Sequence, residues 1–287
     1  MKVPPYHWWR TVFFLIPAIT LYTIVLGTLS IGSSLFSRRG YFAHWCARTW
    51  SSLILKTTGV RVRVDGLDRL EPGRTYVFVS NHQSIYDIPV LFWALPFQLR
   101  IIAKESLGKF PFLGWHLRRT GHMLVDRRHP APKEIFGWAS GLTSQGLSLI
   151  VFPEGTRSPD GRLYRGKTGV ARMALLARCP IVPIATFGTR ELQPIGKRFP
   201  KLSGRIEVHF GKPLAFDRFY GQEADRFVLR SITDEVMYEI MMISGQEYVD
   251  EYASKVKAQQ QSESEGAPEA ASKDAEVPVE AETAAKA

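Results

Sequence analysis

His82 and Asp87 stand five residues apart in Asn81-His82-Gln83-Ser84-Ile85-Tyr86-Asp87, directly after the strand-like run Thr75-Tyr76-Val77-Phe78-Val79-Ser80. Histidine is the side chain whose unperturbed pKa allows proton uptake near neutral pH, and a carboxylate that holds one ring N–H leaves the other nitrogen facing a substrate hydroxyl. Neighbours on a helix face lie three or four residues apart, so this spacing places His82 on the turn leaving the strand and Asp87 in the first turn of the following helix. Taken alone, the pair fits a surface turn with an N-capping carboxylate equally well. No Gly-x-Ser-x-Gly elbow occurs in the chain, so such a base would act on a substrate hydroxyl rather than on a serine nucleophile. Ser84 reads as a capping or hydrogen-bonding residue rather than a nucleophile.

Three further segments bear on the pair: Gly121-His122-Met123-Leu124-Val125-Asp126-Arg127, Glu154-Gly155-Thr156-Arg157 and Ile181-Val182-Pro183-Ile184. With His82 and Asp87, and in this order, they resemble the four sequence blocks of the glycerolipid acyltransferases, above all the 1-acyl-sn-glycerol-3-phosphate acyltransferases. The resemblance runs from about Val60 to Lys212, and four blocks in order are far more specific than any one of them. It implies transfer of a fatty acyl chain from a thioester to the free hydroxyl of a lysophospholipid, with lysophosphatidate as the expected acceptor and another lysolipid as the alternative. A membrane-anchored lipid-binding protein without turnover is the alternative from another class. The implied catalytic residues are His82 and Asp87. Glu154, Gly155, Thr156 and Arg157 are assigned to acceptor binding, with Lys104 and Arg127 as further phosphate contacts. Arg157 leads because a planar guanidinium can bind a phosphate through two parallel hydrogen bonds. Glu154 can alternatively cap backbone N–H groups, and Ile181–Ile184 reads as a wall of the site. The acyl donor, coenzyme A or acyl-carrier protein thioester, enters as substrate, and no resident cofactor is expected.

The elements that must position these groups alternate along the body. Strand-like runs fall at 60–64, 75–80, 99–103, 123–126, 147–152, 181–187 and 205–210, with helix-like stretches at 88–94, 111–119, 132–144, 167–177 and 224–244. The pattern predicts an α/β fold with a mostly parallel central sheet flanked by helices. In such a sheet ligand groups gather beyond the carboxyl ends of strands, where His82, Asp126-Arg127-Arg128 and Glu154–Arg157 all fall.

Thr11 to Phe36 carries no charge over 26 residues, longer than the roughly 20 a helix needs to cross the hydrocarbon core. It predicts an N-terminal membrane anchor with a transmembrane helix, residues 1–58, that also includes an amphipathic stretch from Tyr41 to Thr58. Pro17, Gly27 and Gly32-Ser33-Ser34 leave open a re-entrant helix or a helical hairpin lying in the interface. Arg38, Arg39 and Arg48 outnumber Lys2 and Arg10, which favours a cytoplasmic catalytic domain, residues 59–253. Residues 254–287 hold no aromatic residue and four Lys against seven Asp or Glu, the composition of a disordered, dispensable tail. Since the chain as a whole carries a net charge of +10, the rest is strongly basic and suits an anionic membrane surface. No nucleic-acid reader motif accompanies that charge, and the His and Cys residues show no metal-ligand spacing. Gly161-Arg162-Leu163-Tyr164-Arg165-Gly166-Lys167-Thr168 matches the Walker A pattern, but it follows a turn rather than a buried strand, so a phosphate loop is not expected.

Overall fold

The computed structural model describes residues 6–36, 40–126, 131–197, 200–201 and 203–270. Seven strands form the central sheet: β1 (Val60–Asp65), β2 (Val77–Ser80), β3 (Leu99–Lys104), β4 (Met123–Val125), β5 (Ser148–Val151), β7 (Ile181–Phe187) and β8 (Gly204–Phe210), while β6 (Leu163–Tyr164) lies outside it. Their order is β1-β8-β7-β2-β5-β3-β4. All neighbouring pairs are parallel except β7 with β8. This is the mostly parallel α/β arrangement the alternation predicts, with strand ends shifted by one or two residues.

Every residue of β2 and β5 is buried, as expected of strands covered on both faces. Alternation along β2 divides the interior. Tyr76 and Phe78 pack with the helices Tyr41–Thr57 and Asp87–Ala94 on one face. Val77 and Val79 pack with Pro132–Thr143, Gly169–Ala177 and Arg226–Ser244 on the other. A period of two thus serves two cores from one strand.

The N-terminal apolar segment is a helical turn (Tyr6–Arg10), a π-helical turn (Thr11–Leu15) and a helix (Ile16–Ser33). It folds back on Tyr41–Thr57 as a hairpin. Trp50 Nε1 donates to Thr23 Oγ1 at 2.9 Å, Tyr22 OH and Thr57 Oγ1 lie 3.2 Å apart, and Arg10 donates to the Thr57 carbonyl at 3.0 Å. Gly27 allows the helix to pass close to the domain, since a Cβ there would lie 3.0 Å from Phe112 Cβ. Ile54 and Leu55 of the second helix belong to the same core as β1 and β2, so the hairpin is part of the packed body.

Two features depart from the sequence reading. Leu163–Tyr164 pairs in parallel with β9, Tyr248–Val249, a two-residue ladder too short to leave a periodic signal. Of the stretch from Ser254 expected to be disordered, the described part is helical, within Ala253–Ala270, and residues 271–287 lie outside the described residues. Ala, Glu, Gln and Lys are strong helix formers, and lack of aromatic residues speaks against a core rather than against a helix.

Candidate active site

The turn after β2 is pinned before it reaches His82. Asn81 Oδ1 accepts the Thr186 N–H at 2.8 Å and Asn81 Nδ2 donates to the Thr186 carbonyl at 3.1 Å, tying the end of β2 to β7. Asp87 opens the next helix and reaches back over the turn. Its Oδ2 accepts the Gln83 and Ser84 N–H groups at 2.7 and 2.9 Å and lies 2.7 Å from His82 Nδ1. An acceptor already facing two N–H donors calls for a proton on Nδ1, which leaves Nε2 as the basic nitrogen. Asp87 is completely buried and His82 nearly so. The His82 ring stacks on Phe152, with centroids 4.0 Å apart.

Glu154 and Ser158 grip the backbone of His82 from both sides. Glu154 Oε1 accepts the His82 N–H at 2.9 Å, and Ser158 N–H donates to the His82 carbonyl at 2.7 Å. Glu154 Oε2 accepts the Tyr164 N–H at 3.1 Å. Of the two roles open to Glu154, substrate contact and capping of N–H groups, this geometry is the second. The carboxyl is fully buried. Burial pushes its pKa up to about 8, against the pull of the two N–H donors. Gly155 has φ +71°, a left-handed conformation that favours glycine, and the end of the Lys167 side chain lies against it. Thr156 Oγ1 accepts from Lys257 Nζ at 2.8 Å.

An apolar cavity of about 660 Å³, lined by His82 among others, runs between the N-terminal hairpin and the sheet, a volume typical of ligand pockets. Ile16, Ile19 and Trp50 contribute walls, and Lys104 and Arg157 also line it. His116 and His122 line it as well. Burial keeps both imidazoles neutral, with His116 down to about 4 and His122 well below its ordinary value, so the cavity wall stays uncharged there. The structure therefore brings His82, Lys104 and Arg157 to one cavity, with Asp87 buried behind the His82 ring. Arg127 lies outside the described residues. Ser84 is fully buried and donates its hydroxyl to the Gln193 carbonyl at 2.9 Å, which leaves it a structural part of the turn.

The Walker-like segment makes no phosphate cradle. Leu163 and Tyr164 are buried in the short ladder with β9, Gly166 abuts Met237 and Thr233, and the Lys167 N–H donates to the Pro153 carbonyl at 2.8 Å. Among the described residues no cluster of His, Cys, Asp or Glu could hold a metal ion. Asn81 and Phe152 were not singled out from the sequence. Adjacency of Asn81 to His82 in a turn was the only available signal, because their partners, Thr186 and the His82 ring, are set by tertiary structure.

Residues 61–186 match the acyltransferase family model. A chloroplastic 1-acyl-sn-glycerol-3-phosphate acyltransferase of Brassica napus is 34% identical over 194 residues, covering 67% of this chain and 54% of the relative. The 1-acyl-sn-glycerol-3-phosphate acyltransferase alpha of Mus musculus is 31% identical over 159 residues, covering 55% of this chain and 56% of the relative. The chain thus spans little more than half the length of these curated relatives. The crystal structure of the 1-acyl-sn-glycerophosphate (LPA) acyltransferase PlsC from Thermotoga maritima is similar with a TM-score of 0.58 and 27% identity, over 80% of this chain and 97% of that one.

Proposed function

As the chain belongs to the acyltransferase family, we propose that it transfers a fatty acyl chain from an acyl thioester to the free hydroxyl of 1-acyl-sn-glycerol-3-phosphate, giving phosphatidic acid. The observation that carries this reading is His82, bonded to the buried Asp87, on the wall of an apolar cavity that Arg157 and Lys104 also line. His82 Nε2 takes the proton of the acceptor hydroxyl as its oxygen attacks the thioester carbonyl, and Asp87 stabilises the imidazolium. The tetrahedral intermediate collapses by breaking the C–S bond, and the departing thiolate takes the proton back from His82. No acyl-enzyme forms. The apolar cavity suits an acyl chain, and the guanidinium of Arg157 suits the acceptor phosphate. The donor is a coenzyme A or acyl-carrier protein thioester, and no resident cofactor, metal or nucleic acid takes part.

Assay of thioester-dependent transfer against lysophosphatidate, other lysophospholipids and no acceptor tests the reading. Phosphatidate is the expected main product. A different preferred lysolipid replaces the acceptor assignment, and no ester product with any acceptor contradicts the enzyme. Arg157→Ala is expected to raise the acceptor KM by about tenfold or more with little change in the donor KM, because a lost charge-assisted contact removes binding of that group alone. Arg157→Lys recovers part of the loss, since an ammonium lacks the planar fork. Equal effects on donor and acceptor would make Arg157 structural.

The protein acts at a membrane surface, with the catalytic domain on the cytoplasmic side in our reading. The segment Trp8–Ser33 is helical and holds an 18-residue stretch apolar enough to span a bilayer, with mean hydropathy 2.2 over that stretch. Its packing favours an interfacial hairpin instead, because a spanning Ile16–Ser33 helix would draw the partner helix and the attached core into the bilayer. Phe13, Phe14, Leu21, Phe42 and Trp45 are exposed on this hairpin, an apolar surface suited to the headgroup–acyl boundary. Replacing Phe14 and Trp45 by Asp in the full chain is expected to move much of the protein from vesicles to supernatant in co-sedimentation. Unchanged sedimentation contradicts the interfacial placement.

A further inference from the structure

The loop that carries Arg157 is held by a part of the chain beyond the central sheet. After the Arg226–Ser244 helix, Gly245 takes φ +64° and turns the chain back, so that Tyr248–Val249 pairs with Leu163–Tyr164. The Arg165 N–H donates to the carbonyls of Val249 and Glu251 at 3.1 and 3.0 Å. Its guanidinium lies 5.7 Å from the Tyr252 ring centre. Ala253, the first residue of the last helix, is fully buried. These contacts fix the start of that helix, and one turn further Lys257 Nζ donates to Thr156 Oγ1 at 2.8 Å and to the carbonyl of Arg157.

We propose that Lys257 is a positioning residue for the acceptor. By holding the backbone at Thr156 and Arg157, it keeps the Arg157 guanidinium aimed at the cavity where the acceptor phosphate binds. This rests on the reading of Arg157 as the phosphate contact. The loop needs such a hold because Gly155, with its wide conformational freedom, directly precedes these residues. An unfixed Arg157 would spend binding energy on ordering its own side chain and backbone when the acceptor arrives. An ammonium on a backbone carbonyl is a charge-assisted bond, among the stronger hydrogen bonds available to a partly buried group. The assignment runs against the sequence expectation that the segment from Ser254 is dispensable.

The test is a double-mutant cycle in the full-length protein on vesicles, with KM for lysophosphatidate and for the acyl thioester measured separately. Lys257→Met is expected to raise the acceptor KM about tenfold, the size of a lost charge-assisted bond, and to leave the donor KM within about twofold. Lys257→Arg restores most of the loss. In an Arg157→Ala background Lys257→Met adds less than about twofold, because the two residues act as one unit. An unchanged acceptor KM, effects on acceptor and donor alike with a lowered Tm, or full additivity with Arg157→Ala each overturns the proposal. If Arg157→Ala raises the acceptor KM and Lys257→Met does not, the proposal alone fails. If Arg157→Ala leaves the acceptor KM unchanged, the phosphate-contact reading fails and this proposal with it.

Discussion

His82→Ala is expected to lower acyl transfer by at least about 10³-fold while the protein stays folded and membrane-bound. General-base catalysis by a positioned side chain contributes typically 10²- to 10⁴-fold, and among the described residues no second imidazole is paired with a buried carboxylate at this cavity. The loop does not depend on the ring it would lose. The His82 N–H is held by Glu154 and its carbonyl by Ser158. Asp87 keeps two backbone N–H donors from Gln83 and Ser84. The ring's loss removes the stack on Phe152 and the bond to Asp87. Rates with a saturating thioester and lysophosphatidate, alongside a thermal melt, check both halves. A variant with near-normal transfer removes His82 from the base role.

Asp87→Asn is expected to lose about 10³- to 10⁴-fold in kcat, the scale seen when the carboxylate behind a catalytic imidazole becomes an amide. The amide oxygen can still face the three donors gathered at Oδ2. The amide nitrogen then occupies the position of Oδ1, which is buried without a hydrogen-bond partner. The substitution thus conserves shape at the cost of one buried unpaired donor, about 1–3 kcal/mol. What it removes is the negative charge that steadies the imidazolium. The acceptor KM is expected to change little, because Arg157 and Lys104 are untouched. A loss shared equally between kcat and acceptor KM, with a collapsed melting transition, would show instead that Asp87 serves the fold.

Much of the fold was legible because its strands are buried runs set between helical stretches, and burial on both faces writes continuous apolar segments such as Val77-Phe78-Val79. The His82–Asp87 geometry was legible because it is local: a strand end, a turn and a helix start lie within one heptapeptide. What escaped the sequence is long-range. Nothing near Glu154 says that its oxygens face the His82 and Tyr164 amides, and nothing near Lys257 says that its ammonium reaches a loop a hundred positions away. The helix over Ala253–Ala270 was missed because composition reports what cannot form a core and is silent on a helix docked by its first residues. The apolar N-terminal run predicts a membrane segment by its length and composition alone, while the proposed choice of lying flat rests on the pairing of two helices and their polar cross-links.

The central claim is direct acyl transfer to a phosphate-bearing lysolipid. It is tested most directly by incubating the full-length protein with a thioester carrying a labelled acyl chain, with and without lysophosphatidate, and following the label in lipid, free acid and protein. Labelled phosphatidate is expected only when lysophosphatidate is present, with no label held on the protein when it is absent. Label accumulating as a covalent acyl-protein, or appearing as free acid without any phosphatidate, would contradict it.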